Sequence, residues 1–189
     1  MTTLLLAGIA VGSFMAAVTH FLMLISNNDN LRQIFWWLQG GFSLGNWEQV
    51  AAVTPYALVG ISIVLLCARQ LNVLQLGEEQ AQQLGVEVER YRLVLVAGAS
   101  LMTAAAVSVG GIIGFVGLII PHAVRLVWGP DYRFLLPMAT VLGSIFLVLA
   151  DMLSRTVFAP NEMPVGIVTA FFGAPFFLYL LMQRKRMVS

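Results

Sequence analysis

The run LVLVAGASLMTAAAVSVGGIIGFVGLIIPHAV, residues 93–124, decides how this chain is read. It holds 32 residues without an Asp, Glu, Lys or Arg, and one histidine, His122. As one helix it would be ~48 Å long, against a hydrocarbon core of about 30 Å. A single span of that length needs strong tilt. The alternative is two shorter legs hinged at Gly110-Gly111, and charge separates the two readings. Cytoplasmic loops of membrane proteins are enriched in Lys and Arg. The segment before the run carries Arg69, Arg90 and Arg92, and the segment after it carries Arg125 and Arg133. The C-terminus ends in Arg184, Lys185 and Arg186. For all three basic segments to share one side, the run must leave and return, turning near residues 110–114.

Working outward from that hairpin, six spans follow. Residues 3–26 run outward, 51–68 inward, 93–109 outward, 112–128 inward, 134–154 outward and 163–182 inward. The expected fold is all-α, a polytopic membrane helical bundle of about six transmembrane helices with its C-terminus in the cytoplasm. Composition agrees: 59% of residues are hydrophobic, 10% are charged, and the mean hydropathy is +0.88. A soluble domain carries about 25% charged residues, so the lipid bilayer is the natural solvent for this chain. The net charge is +1 and no basic stripe runs along any element, which leaves no nucleic-acid partner. The opening MTTLLLAGIAVG has no Lys or Arg before its apolar run, unlike a signal peptide. A polytopic chain that opens straight into a span reads as one that has lost something upstream. Between the first two spans, Trp36, Trp37 and Trp47 fit an interfacial aromatic belt.

Catalytic signatures are missing: no HExxH, GxSxG or P-loop pattern occurs. His20 and His122 fall on different spans, and Cys67 is the only cysteine, so neither a metal site nor a disulfide is expected. No cofactor is implied. An intramembrane enzyme built on His122 and Asp151 would need the two to converge, whereas the topology puts them near opposite sides.

Four features carry more information. Residues 74–86, LQLGEEQAQQLGV, read as a short amphipathic helix with Leu76, Ala81 and Leu84 available to one side. Gly77 and Gly85 bracket it as breakers or caps. Such a helix can lie on the bilayer or dock into a soluble partner's groove, and the pattern fits both. Next, Gly110, Gly111, Gly114 and Gly117 permit close backbone approach, and Pro121 bends the returning leg just before His122 and Arg125. Third, Asp151 and Arg155 are spaced i,i+4 for an ion pair at the outer end of a span. Fourth, Glu162 and Pro164 open the last span, which Gly173-Ala174-Pro175 should break at mid-membrane.

Five collinear stretches carry a resemblance: LAGIAV at 6–11, LQLGEEQAQQLGV at 74–86, GFVGLIIPHAVRLVWGPDYRFLLP at 114–137, LADMLSRT at 149–156 and EMPVGIVTAFFGAPFFLYLL at 162–181. They resemble the FecCD-type permeases of ABC importers, which carry ferric siderophores, haem or cobalamin. The resemblance implies a non-enzymatic transport subunit in the bacterial inner membrane, working with a second permease copy or paralogue. It also implies two kinds of partner, an ABC ATPase subunit and a periplasmic or lipid-anchored substrate-binding protein. Leu76, Gly77, Glu78, Ala81, Leu84 and Gly85 would couple to the ATPase. Arg155 and Glu162 would form the docking edge for the binding protein. Gly110, Gly111, Gly114, Gly117, Pro121, Gly173 and Pro175 would serve as hinge or pathway positions. Residues 1–189 would be a single permease domain matching the last six of the family's ten spans. A ferric siderophore is the expected cargo, with haem or cobalamin as alternatives, and a truncated, non-transporting remnant as the competing reading.

Overall fold

The computed structural model describes residues 2–26, 28–43, 45–157, 159 and 163–186. Every regular element among them is a helix: α1 (Thr2–Leu24), α2 (Asn28–Gln39), α3 (Trp47–Leu66), α4 (Ala68–Leu74), α5 (Glu78–Gln83), α6 (Val88–Gly110), α7 (Val116–Trp128), α8 (Tyr132–Thr156) and α9 (Val165–Arg186). They fall into two compact units, Met1–Leu38 and Gln39–Ser189. In the first, α1 holds no Asp, Glu, Lys or Arg and is long and apolar enough to cross a membrane over Leu6–Leu24. On α2, Phe35 and Trp37 are exposed while Leu31 and Ile34 are half-buried.

In the second unit, α3, α6 and α8 are long and apolar enough to cross a membrane, and α7 and α9 carry shorter apolar stretches. Helix α3 starts four residues before its expected apolar boundary because Asn46 caps it. The Asn46 side chain accepts from Gln49 N–H at 2.8 Å, and the Gln49 side chain accepts from Asn46 N–H at 3.4 Å. Helix α6 likewise starts at Val88, ahead of residue 93, because Arg90 and Arg92 mark the end of the hydrocarbon but do not stop a helix. Cys67 is buried at the break between α3 and α4, a packing residue as its apolar neighbours suggest.

Hydrogen bonds fix the topology. Asn72 on α4 bonds to Asp131 and Tyr132 at the start of α8, so the segment after α3 and the turn after α7 lie on one face. At the other end, Gly41 N–H donates to Gly110 O at 2.9 Å, and Met163 N–H donates to Ser154 O at 3.1 Å. Residues 93–124 therefore do leave and return. The hairpin is not a simple pair of helices, however. Helix α6 packs along α3, whereas α7 packs on α8 and α9. Residues 112–115, expected to begin the returning helix, are non-helical. Gly111 at φ 65° closes α6, and Phe115 at φ 68° opens α7, so the chain reverses through two left-handed residues. The remaining α7 is 13 residues, ~20 Å, too short to cross about 30 Å of hydrocarbon alone. Unwound backbone at that depth is tolerated where protein or a cavity surrounds it.

Two apolar clusters hold this crossover. Ile120 and Val124 of α7 meet Leu135 of α8. Ala150 of α8 meets Val165 and Val168 of α9, with Phe42 and Ile113 packed against them. The last span differs from expectation: α9 runs unbroken through Gly173-Ala174-Pro175. Pro175 withholds one amide from the carbonyl four residues back, but the surrounding turns continue the helix.

Candidate functional site

The 74–86 segment is narrower than its sequence pattern suggests. Its helix is α5, six residues, and the glycines at its ends are both left-handed: Gly77 at φ 112° and Gly85 at φ 81°. No atom lies within 4 Å of a Cβ built on either, so backbone conformation alone calls for glycine there. The three apolar side chains divide. Ala81 is fully buried, while Leu76 is 57% and Leu84 64% exposed. An ion pair between Glu78 and Arg92 ties α5 to the start of α6. The result is a short helix with Ala81 buried on one side and Glu79 exposed, flanked before and after by the exposed Leu76 and Leu84.

Beside it stands a polar contact that sequence reasoning did not single out. Asn72 Nδ2 donates to Asp131 Oδ1 at 2.6 Å, and Asn72 Oδ1 accepts from Tyr132 N–H at 2.9 Å. Gln75 Nε2 donates to Pro130 O at 3.1 Å. Asp131 also caps α8 by accepting from Arg133 N–H at 2.9 Å. Its carboxyl is held below the usual carboxylate range by that backbone N–H, then by the Asn72 amide and the Arg133 charge. Arg125 completes the cluster: its Nη2 donates to Tyr132 Oη at 3.1 Å, and its guanidinium lies 5.7 Å from the Tyr132 ring centre. The only hint in the sequence was Asp131 just before a helix, the place an N-cap takes.

On the opposite face, Arg155 Nε donates to Asp151 Oδ2 at 2.9 Å, forming the i,i+4 pair that their spacing suggests. The Arg155 side chain is 42% exposed. Asp151 Oδ1 is buried and without a hydrogen bond among the described residues. Glu162, expected beside Arg155 on the docking edge, lies outside the described residues. His122 does not meet Asp151; its ring sits edge-on to Phe176 at 6.5 Å. Among the described residues no three His, Cys, Asp or Glu side chains gather where they could hold a metal ion.

The hinge and pathway candidates are only partly brought together. Gly110 and Gly111 line an open apolar cavity of about 570 Å³ together with Phe42, Thr54, Met102 and Thr103. A Cβ on Gly110 would stand 3.2 Å from the Phe42 ring. Gly173 lies beneath Phe115, where an added Cβ would run into the Phe115 side chain. Gly114 and Gly117, read as close-approach positions, have no atom within 4 Å of a built Cβ. Gly117 is instead the residue four before Pro121 in α7, where the proline ring crowds the helix. Two closer glycines were missed: a Cβ on Gly40 would meet Ile112 O at 2.6 Å, and one on Gly166 would collide with Gln39 O.

Several apolar helices of spanning length, a re-entrant crossover and loops tied at two faces define a multi-pass membrane protein. The chain belongs to the FecCD transport family, whose profile matches residues 1–183. It is 51% identical to the cobalamin import system permease of Halobacterium salinarum, over 97% of this chain and 49% of that protein. It is 42% identical to the hemin transport system permease of Yersinia pestis, over 98% of this chain and 56% of that protein. Against the Fe(3+)-citrate import system permease of Bacillus subtilis it is 37% identical, over 97% of this chain and 55% of that protein. A solved structure described as an inward-facing conformation of a metal-chelate type ABC transporter superposes with TM-score 0.84 at 34% identity. That match covers 94% of this chain and 58% of the solved one. The chain thus spans about half the length of the curated relatives it matches.

Proposed function

We propose that this chain forms part of the permease of an ABC importer, moving a metal chelate inward across the cell membrane while a separate ATPase supplies the energy. The observation that carries the reading is α5. A helix of six residues does not stand alone in water. This one is pinned by buried Ala81 and the Glu78–Arg92 pair, yet the residues that flank it, Leu76 and Leu84, stay outside. A groove on a soluble partner would cover that apolar edge. Arg69, Arg90, Arg92, Arg125 and Arg133 flank the same face, which supports its being cytoplasmic, with the C-terminus beside it.

Arg155, on the other face, is the contact for an acidic group of a substrate-binding protein. A partly exposed pair of this kind steers and orients docking more than it supplies affinity. A second permease copy or paralogue completes the membrane assembly. The cargo is a metal chelate. A cobalamin-type complex ranks ahead of a ferric siderophore, because identity is 51% to a cobalamin permease against 37% to an Fe(3+)-citrate permease.

The test is co-expression with the ATPase and binding protein of the same transport system. The ATPase should co-purify with the chain, and ATP should drive uptake of cyanocobalamin or ferric citrate into proteoliposomes. Absence of ATPase from the purified complex overturns the coupling role. Hydrolysis without uptake of either chelate is the behaviour of a non-transporting remnant.

A further inference from the structure

We infer that Asn72 and Asp131 form a transmission clamp, through which displacement of α5 reaches the α7–α8 turn and so the unwound crossover at residues 111–115. The inference rests on the reading of α5 as the ATPase contact.

The helices of the second unit divide into a pair, α3 with α6, and a group, α7 with α8 and α9. The chain between α3 and α6 carries α4 and α5, seven and six residues long. Through the Glu78–Arg92 pair, α5 is held to α6. A push on α5 transmitted only along that route would move the first pair and leave α7 behind. Asn72 supplies a crossing. Its amide donates through Nδ2 to Asp131 Oδ1 and accepts through Oδ1 from Tyr132 N–H, so both ends of one planar group are engaged. Two anchors on a planar group fix direction as well as distance, which a single hydroxyl contact does not. The Tyr132 N–H is one of the amides that a helix start leaves without an internal partner, so the grip adds a bond without breaking a helical one. The Asp131 end is charge-assisted and shorter than a neutral amide contact. Gln75 to Pro130 O gives a second, weaker tie one turn further along.

From Tyr132 the contact continues. Arg125 in the last turn of α7 bonds its hydroxyl and lies over its ring. Helix α7 is short, contains Pro121, and enters from left-handed Phe115, whose side chain rests on Gly173 of α9. A load on Asn72 thus falls on a short helix that follows an unwound segment, an element able to shift as a body. Asn72 is a positioning residue here and touches neither cargo nor ATPase.

The test uses the transporter assembled with its ATPase and binding protein in proteoliposomes, with labelled cyanocobalamin and ferric citrate as probes. The quantity read is uptake per ATP hydrolysed. Asn72→Ala and Asp131→Ser, the latter keeping a capping hydroxyl for α8 but withdrawing the reach to Asn72, should still bind the ATPase. Each should lower the ratio at least fivefold. Asp131→Asn, which keeps the Oδ1 acceptor, should stay within twofold of the unsubstituted protein. A ratio within twofold for Asn72→Ala overturns the clamp, as does an Asp131→Asn loss equal to that of Asp131→Ser. If both removal variants fail to accumulate in the membrane, the contact is a folding element and the clamp falls. If the unsubstituted chain neither binds the ATPase nor takes up a probe, the failure belongs to the proposed function itself.

Discussion

Substituting Gly166 with Ala tests the crossover at its tightest point. Gly166 lies in the first turn of α9, where a Cβ would fall on the Gln39 carbonyl oxygen, 3.1 Å from Gln39 C and 3.3 Å from Ile112 O. All three neighbours are backbone, so no side chain can rotate out of the way. The start of α9 has to move, which loosens Val165 and Val168 from Ala150 and lengthens the 3.4 Å bond from Gly166 N–H to Gly40 O. Overpacking of this kind costs about 1–3 kcal/mol, and loss of one hydrogen bond about 0.5–1.5 kcal/mol. Alanine returns up to ~1 kcal/mol of helix propensity, less at a first turn. The net is a destabilisation of about 2 kcal/mol, or a fall of about 4–8 °C in Tm for a chain of this size. Cys67, the only cysteine and buried, gives the assay: a thiol-reactive dye reports unfolding in nanodiscs without any added label site. Gly117→Ala is the paired control, since no atom lies within 4 Å of its Cβ and the residue is inside α7. It should melt at or slightly above the unsubstituted temperature. A Gly166→Ala protein that melts no lower than the unsubstituted one would refute the packing argument.

Three further outcomes are expected. Gly77→Ala and Gly85→Ala each force an L-residue into left-handed backbone at about 1–2 kcal/mol, and Glu78→Lys sets a cation against Arg92. All three should reduce ATPase co-purification while membrane insertion is unchanged, which quantitative pull-down from solubilised membranes will show. Arg155→Glu sets a carboxylate against Asp151 and should weaken capture of the binding protein, with the deficit largest at low salt; equal binding at low salt would remove the docking role. The Asp131 carboxyl is lowered in the folded chain, so its contribution to stability is present above the unfolded value of about 3.9 and is lost as pH falls through the folded value. Thermal melts taken at successively lower pH, from neutrality to below the unfolded carboxylate value, should therefore show a steeper acid-side decline for the unsubstituted protein than for Asp131→Asn.

Much of the conformation of residues 74–86 could be read directly from their sequence. Two glycines eight apart around EEQAQQ announce helix ends, because left-handed backbone is a local property of the glycine itself. The Asp151–Arg155 pair was equally legible, since i,i+4 spacing on a helix fixes proximity without tertiary information. Gly114 and Gly117 were not. A small residue permits close approach, but whether a neighbour takes the space depends on packing elsewhere in the fold. The same limit applies to Gly173-Ala174-Pro175. Proline removes one hydrogen bond, and whether the helix breaks depends on the packing of the turns around it, which the tripeptide itself does not carry.

Hydropathy and charge are properties of each residue against its solvent, and they sum along the chain without reference to any fold. That is why the apolar stretches, the out-and-back course of residues 93–124 and the shared side of the arginine-bearing turns were determined by sequence alone. Which helix packs on which is a pairwise matter. That α6 stays with α3, that α7 unwinds at its start and joins α8 and α9, and that Asn72 reaches Asp131 across 59 positions of sequence were decided only by the tertiary structure. A single amide in ARQLNVLQ carries no mark of its partner, because the energy of that contact exists only once both helices are in place.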